Sequence, residues 1–355
     1  EPDPRGGSTV TAGDDSPVAR FTPRTTLTLP SAATIEHPVP AVLLIPGMGP
    51  VDRDFSFGTD EDGRPISAIG RSIAIALEDA GIASLRYDKR HVHGPRDVDF
   101  RRFIALDMED FLDDARIALE LLRSCPRVDP ARVAILSIDE GCAIATSLAA
   151  TDPSVAALVL IGPFVRPLPE TVLDQIEWSG ADYLSRFGTD GVLDDLAIEE
   201  ALLGRPGVVA RQFVAASLSG DPRRGPRYPA SFDRNRDGKL SIADEWVPAL
   251  RDAFQRNPAR GPVADDHRLP ALEQAMPGLT CPVLILHGAS DDTVPITHLD
   301  RLTPGDPTEW TIRKYAGLGH TLGPADSPGV DTHGPIEPRV LVELSRWLGV
   351  ALEVR

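Results

Sequence analysis

The 355-residue chain has only three cysteines, Cys125, Cys142 and Cys281, too few for a disulfide framework and at no metal-ligand spacing. Cys142 and Cys281 stand among apolar residues and read as core positions. No apolar run approaches the length of a membrane span, and no internal repeat is visible. Positive charge is short as well. Lys and Arg number 36 against 53 Asp and Glu, a net charge of −17 that argues against nucleic acid or an anionic membrane as the main partner. What is there, 42% apolar and 25% charged residues, is ordinary for a soluble globular protein. The length allows one large α/β domain with an insertion, or two ordinary domains. Nothing in the sequence bears on oligomeric state.

Residues 1–20 are rich in Gly, Pro, Asp, Ser and Thr and are expected to form a flexible leader. The chain begins with Glu rather than Met, so an upstream segment is expected to have been removed, and a cleaved export signal is compatible with this; a calcium-type loop at 233–244 tilts the location toward secretion. Ala41–Ile45 is a short apolar run read as a central strand. It enters a loop, Pro46-Gly47-Met48-Gly49-Pro50, whose glycines free backbone N–H groups. Apolar spacing predicts helices over 69–81 and 107–123, with strands at 82–87, 133–136, 155–161 and 282–286. A strand over 308–314 and a helix over 338–348 complete the pattern. Strands alternating with helices predict a mostly parallel sheet covered on both faces. The rhythm breaks from 163 to 276, where helix-like pieces separated by Pro, Gly and charge suggest an all-helical cap inserted into a core of 21–162 and 277–355. The charged run of Asp107, Glu109, Asp110, Asp113 and Asp114 reads as a solvated helix face, and Arg86 to Arg90 as an ion-paired brace.

The most informative stretch is Ser137-Ile138-Asp139-Glu140-Gly141, between the apolar strand at 133 and an Ala-rich amphipathic run. A strand passing into a helix through a five-residue turn with small outer residues is the nucleophile elbow, and its apex is Asp139. Read alone, Asp139 is more simply an acid capping a helix. Its company along the chain favours the elbow. With the 46–54 loop, Arg86-Tyr87-Asp88-Lys89-Arg90, Gly288-Ala289-Ser290-Asp291-Asp292-Thr293-Val294-Pro295 and Gly317-Leu318-Gly319-His320, the sequence resembles α/β-hydrolases of the dienelactone-hydrolase-like and prolyl-peptidase-like esterase branch.

That resemblance implies an α/β-hydrolase fold with Asp139 at the nucleophile position, Asp291 as the triad acid and His320 as the base. Asp292 is an alternative acid, and His287 and His298 are weaker histidine candidates. The oxyanion donors it implies are the backbone N–H groups of Met48 and Glu140. The family's usual apex is Ser preceded by His, whereas this chain has Asp139 preceded by Ile138. A carboxylate attacking an ester carbonyl would form an anhydride, whereas attack at saturated carbon gives an alkyl-enzyme ester that a His-activated water can cleave. This favours epoxide opening, with Tyr183 or Tyr228 from the cap as the acid. Halide displacement, with Trp178 and Trp246 as N–H donors, stays open. So do a non-hydrolytic elimination or rearrangement of a small-molecule substrate, a binding-only descendant and a residual esterase. No organic cofactor is implied.

Within the cap, residues 233–244 follow the EF-hand pattern, with Asp233, Asn235 and Asp237 at positions 1, 3 and 5 and Gly238 at the turn. Lys239 would ligate through its carbonyl, Ser241 directly or through water, and Asp244 at position 12, with Glu245 following. The expectation is a structural calcium ion.

Overall fold

The computed structural model describes residues 9–10, 23–58, 62, 64–218, 227–256, 269–302 and 310–354. Of the expected leader, residues 1–8 and 11–20 lie outside the described set, as do 219–226 and 257–268 of the expected cap and 308–309 of the last expected strand. Thr9–Val10, by contrast, is a strand.

One eight-stranded sheet organises the chain. Its strands are β1 (Thr9–Val10), β2 (Thr25–Thr28), β3 (Val39–Ile45), β4 (Ala83–Tyr87), β5 (Val128–Ile138), β6 (Leu158–Ile161), β7 (Val283–Gly288) and β8 (Trp310–Tyr315), in the order β1-β2-β4-β3-β5-β6-β7-β8. Pairing is antiparallel at β1–β2 and β2–β4 and parallel from β4 through β8. Strands buried on both faces read as continuous apolar runs, which is why Ala41–Ile45 and Val133–Leu136 are apolar without interruption.

The two-residue period of a strand divides that run between two cores. Leu43, Leu85, Ile135 and Leu160 face one side, under helices α2 (Met108–Arg123) and α3 (Gly141–Thr151). Leu44, Leu136, Val159 and Leu284 face the other, against α1 (Ile69–Asp79) and the final helix (Pro338–Ala351). Helix α2 starts on a reciprocal capping box between Asp107 and Asp110. The charged run that follows is not simply solvated. Asp114 is 1% exposed and bonds Arg90 Nε at 2.7 Å, and burial holds its carboxyl up to about 7 despite that arginine.

Between β6 and β7 no described residue joins the large sheet. This insertion, the cap, builds its own core from Ile176, Tyr183, Leu193, Ile198 and Trp246. It contains α4 (Leu168–Gln175), which passes directly into a π-helical turn (Ile176–Ala181), then α5 (Asp195–Leu203), α6 (Val208–Ser217) and α7 (Val247–Arg256). The cap is not all-helical: Val192–Leu193 and Leu240–Ser241 pair antiparallel, tying the 233–244 loop to the start of α5. Among the described residues no helix is long and apolar enough to cross a membrane.

Candidate active site

Strand β5 ends at Ile138 and α3 begins at Gly141, so the chain reverses within two residues. Asp139 takes a φ of +60°, the left-handed region that a non-glycine residue enters only under strain. Its N–H is held by Ile161 O at 2.9 Å. A Cβ on Gly141 would stand 2.4 Å from both Pro46 O and Ser137 Oγ, so the small outer residues of the elbow are a steric requirement.

The 46–50 loop closes over the apex. Met48 donates its N–H to Asp139 Oδ2 at 3.0 Å, whereas Asp139 Oδ1 is buried without a hydrogen-bond partner. Glu140 is buried at the start of α3. With Met108, Ala143, Phe164, Leu168 and Ala271 it lines a mainly apolar cavity of about 250 Å³ beside the elbow.

His320 lies in the loop between β8 and the last helix and is 1% exposed. Its Nδ1 is 3.0 and 3.1 Å from the two carboxylate oxygens of Asp291, and its Nε2, with no hydrogen-bond partner, is 3.9 Å from Asp139 Oδ2. Burial disfavours a charged imidazole here, but Asp291 and Asp139 outweigh it and hold His320 well above the ordinary histidine range. Burial likewise opposes ionisation of Asp291. The facing His320 nevertheless brings its carboxyl below the usual range, helped by the backbone N–H of Val294 at 2.8 Å. The structure thus brings Asp139, His320 and Asp291 together around one point.

Other sequence candidates go elsewhere. Tyr183 donates its hydroxyl to Ala201 O at 2.7 Å inside the cap core, and Tyr228 is buried in that same core, its hydroxyl raised first by burial and then by Asp233. The Tyr183 hydroxyl is thus committed within the cap, and the Tyr228 ring packs in the same core. Trp246 Nε1 donates to Ser217 Oγ at 2.9 Å and Trp178 Nε1 to Asp291 O at 2.7 Å, so both indole N–H groups are committed within the protein. His298 pairs with Asp174 at 3.0 Å; His287 turns Nδ1 toward Gly288 O at 2.8 Å, while its Nε2 stays 3.8 Å from Asp291 Oδ2, beside the carboxylate that meets His320. Asp292 does not reach the base. Its Oδ1 accepts from Thr293 Oγ1 at 2.9 Å and lies 2.7 Å from His333 Nε2.

Three features carried no signal that short motifs could reveal. Lys89 is buried, and its ammonium binds the carbonyls of Gly47 and, at 3.1 Å, Gly49, so it pins the loop that carries the Met48 amide. Its position just past β4 was the available clue, though it reads as part of the Arg86–Arg90 brace. That brace does exist for its neighbours, with Arg86 on Asp54 and Arg53 on Asp88. Behind His320, Asp331 accepts the backbone N–H of His320 at 2.6 Å on Oδ2 and of His333 at 3.0 Å on Oδ1. Burial, reinforced by Asp292, raises the Asp331 carboxyl to about 6. Asp292, Asp331 and His333 place ligand-type atoms within 4.8 Å of one another. Their oxygens accept protein N–H and O–H groups, which ties this cluster to the backbone behind His320. The third feature is a set of cap donors on the carbonyls of Asp291 to Thr293.

In the 233–244 loop, Asp233 accepts from Asp237 N and Gly238 N, Asn235 from Asp237 N and Asp237 from Lys239 N. Asp244 turns to Ser241 Oγ at 3.1 Å, and it is Glu245, buried, that reaches back to the amides of Arg234, Asn235 and Ser241.

No family model matches the chain. Esterase EstD of Thermotoga maritima is 32% identical over 154 residues, 42% of this chain and 34% of that protein. Thiohydrolase apmlB of Arthrinium phaeospermum is 33% identical over 132 residues, 37% of this chain and 36% of that one. The matched segments span about a third of the length of these curated relatives. The α/β hydrolase GrgF from Penicillium sp. sh18 superposes with a TM-score of 0.50 at 18% identity, over 94% of this chain and 97% of its own. The parallel sheet, the sharp turn from β5 into α3 and this superposition together show that the chain has the α/β-hydrolase fold.

Proposed function

We propose that this protein is a hydrolase in which Asp139 displaces a leaving group at saturated carbon, forming an alkyl-enzyme ester that water then cleaves. The observation that carries this reading is the Met48 amide seated on Asp139 Oδ2 while Oδ1 has no partner. In a serine esterase that amide serves the substrate's carbonyl oxygen; here the enzyme's own carboxylate occupies it, which disfavours acyl chemistry. The names of the two curated relatives, an esterase and a thiohydrolase, support hydrolysis as the reaction class.

Oδ1 attacks carbon, and the leaving group departs with the bonding pair. His320 takes a proton from water, the hydroxide adds to Cγ of Asp139, and the charge develops on Oδ2, against the Met48 N–H. Collapse expels the alkoxide, which takes the proton from His320, and the carboxylic acid left at Asp139 ionises to solvent. Before reaction two carboxylates favour the imidazolium. Alkylation neutralises Asp139, leaves Asp291 alone and so lowers the proton affinity of His320 when a base is needed. Epoxide opening would require an acid, and the Tyr183 hydroxyl is committed to Ala201 O; halide release would require N–H groups that Trp178 and Trp246 have committed. A leaving group stable as an anion, such as a carboxylate or sulfonate, fits better. The cavity beside Glu140 suits an apolar arm.

The test is a single turnover in water enriched in heavy oxygen. The label should enter the peptide containing Asp139 while the first product stays unlabelled, and Asp139→Asn should be inactive. Label in the first product with an unlabelled Asp139 would overturn the covalent route.

We also propose that the 233–244 loop takes calcium. Oxygen donors on Asp233, Asn235 and Asp237, around a Gly238 of φ +75°, suit a hard cation, and Glu245 stands closer to the loop amides than the position-12 Asp244. Calcium should raise the unfolding temperature of the native chain, and Asp233→Ala should abolish that rise.

A further inference from the structure

The turn at which α4 becomes π-helical lies directly on the loop carrying Asp291. Three side chains from one face of this segment donate to three consecutive backbone carbonyls. Trp178 Nε1 bonds Asp291 O at 2.7 Å, Ser179 Oγ bonds Asp292 O at 2.5 Å, and Gln175 Nε2 bonds Thr293 O at 2.6 Å. Ser179 is 0% and Gln175 5% exposed, so these bonds form away from water, where an unmet polar group is costly. A π-helical turn is wider than an α-helical one and is commonly found at functional sites. Here it accompanies the alignment of residues i, i+3 and i+4 with three successive peptide groups.

Two of those peptide groups, with carbonyls Asp292 O and Thr293 O, also orient the acid. Asp291 Oδ1 accepts the N–H groups of Thr293 and Val294, both at 2.8 Å, before the carboxylate meets His320. A rotation of the 291–293 backbone would therefore swing the carboxylate and, through it, the imbalance of charge that holds the imidazole facing Asp139.

We propose that Gln175, Trp178 and Ser179 are positioning residues, through which the cap fixes the Asp291 carboxylate and hence the His320 imidazole in register with Asp139. The inference rests on the reading of Asp291 and His320 as acid and base. It makes the cap part of the assembly of the catalytic geometry, beyond any covering of substrate.

The experiment compares the full-length protein with Ser179→Ala, Ser179→Thr and Trp178→Phe. The low-field proton resonance of His320 Nδ1–H, which reports its bond to Asp291 whatever the chemistry at Asp139, is followed with thermal unfolding and kinetics. Ser179→Ala and Trp178→Phe should shift or broaden that resonance and lower kcat about tenfold with KM changed less than about twofold. Ser179→Thr, which keeps the hydroxyl, should restore both. Variants that melt earlier with an unmoved resonance and unchanged kcat would show that the contacts merely fasten the cap, and the proposal would fail. Should Trp178→Phe not fold, Ser179→Ala, which removes one hydroxyl, decides alone. Failure of the alkyl-enzyme route would leave the resonance result standing, so the two readings are tested separately.

Discussion

Replacing His320 with Gln separates the two halves of the proposed reaction. The carboxylate at Asp139 remains, with Met48 N–H on Oδ2 and Oδ1 unpartnered, so the first displacement has what it needs. The second half loses its base. Nε2 of His320, buried and 3.9 Å from Oδ2, is the imidazole nitrogen facing Asp139, and an amide in its place cannot accept a proton from water. A positioned general base contributes about 10² to 10⁴ in rate, or about 2.7 to 5.4 kcal/mol at roughly 1.36 kcal/mol per tenfold. Gln is the right replacement because its amide N–H can still meet Asp291. That carboxylate is 0% exposed and would otherwise lose its imidazole partner, although Thr293 and Val294 continue to donate to it. The variant should fold with a loss of about 1 to 3 kcal/mol, read by urea unfolding. Mixed with activated alkyl electrophiles and examined by intact mass, it should accumulate one adduct per chain, located on the peptide containing Asp139. The adduct should decay about a hundredfold or more slower than in the wild type. A folded His320→Gln protein that is inactive without an adduct, or that turns over at the wild-type rate, would refute the reasoning.

Three other outcomes follow from the same geometry. Because Asp291 and Asp139 raise the His320 pKa, its favourable pairing adds stability that is fully present below the ordinary histidine value of about 6.5 and is lost as pH rises through the higher folded value. Urea titrations across that window should show the loss in the wild type and not in His320→Gln. Lys89→Met should leave the carbonyls of Gly47 and Gly49 without their buried donor, costing about 1 to 3 kcal/mol in urea unfolding and lowering kcat by loosening the Met48 amide. Gly141→Ala should destabilise by about 1 to 3 kcal/mol or more, seen as a lower melting temperature, because its Cβ would meet Pro46 O and Ser137 Oγ at 2.4 Å.

The sequence by itself determined the features that short-range patterning encodes. Apolar runs bounded by Gly and Pro mark β3, β5, β6 and β7, and the spacing of small residues around Asp139 demands a turn too tight for a Cβ at Gly141. Asp291 and His320 follow their strands at loop positions that motif order makes readable, and the structure sets Asp291 against His320 and His320 3.9 Å from Asp139. The partners of the cap aromatics were not legible in the same way. Whether Tyr183 or Trp178 offers a proton to a substrate or to the protein depends on what lies opposite it, and Ala201 O and Asp291 O are respectively 18 and 113 residues away. Lys89 reads as one more charge in Arg86–Arg90 until the fold sets it under Gly47, 42 residues earlier. Asp331 and His333 lie in a Gly- and Pro-rich loop with no periodicity, and only the packing of that loop behind His320 gives them a task. Local patterns fix which backbone forms; the partner of a buried polar group is chosen by tertiary packing, because that group must be satisfied by whichever atoms the fold brings within reach.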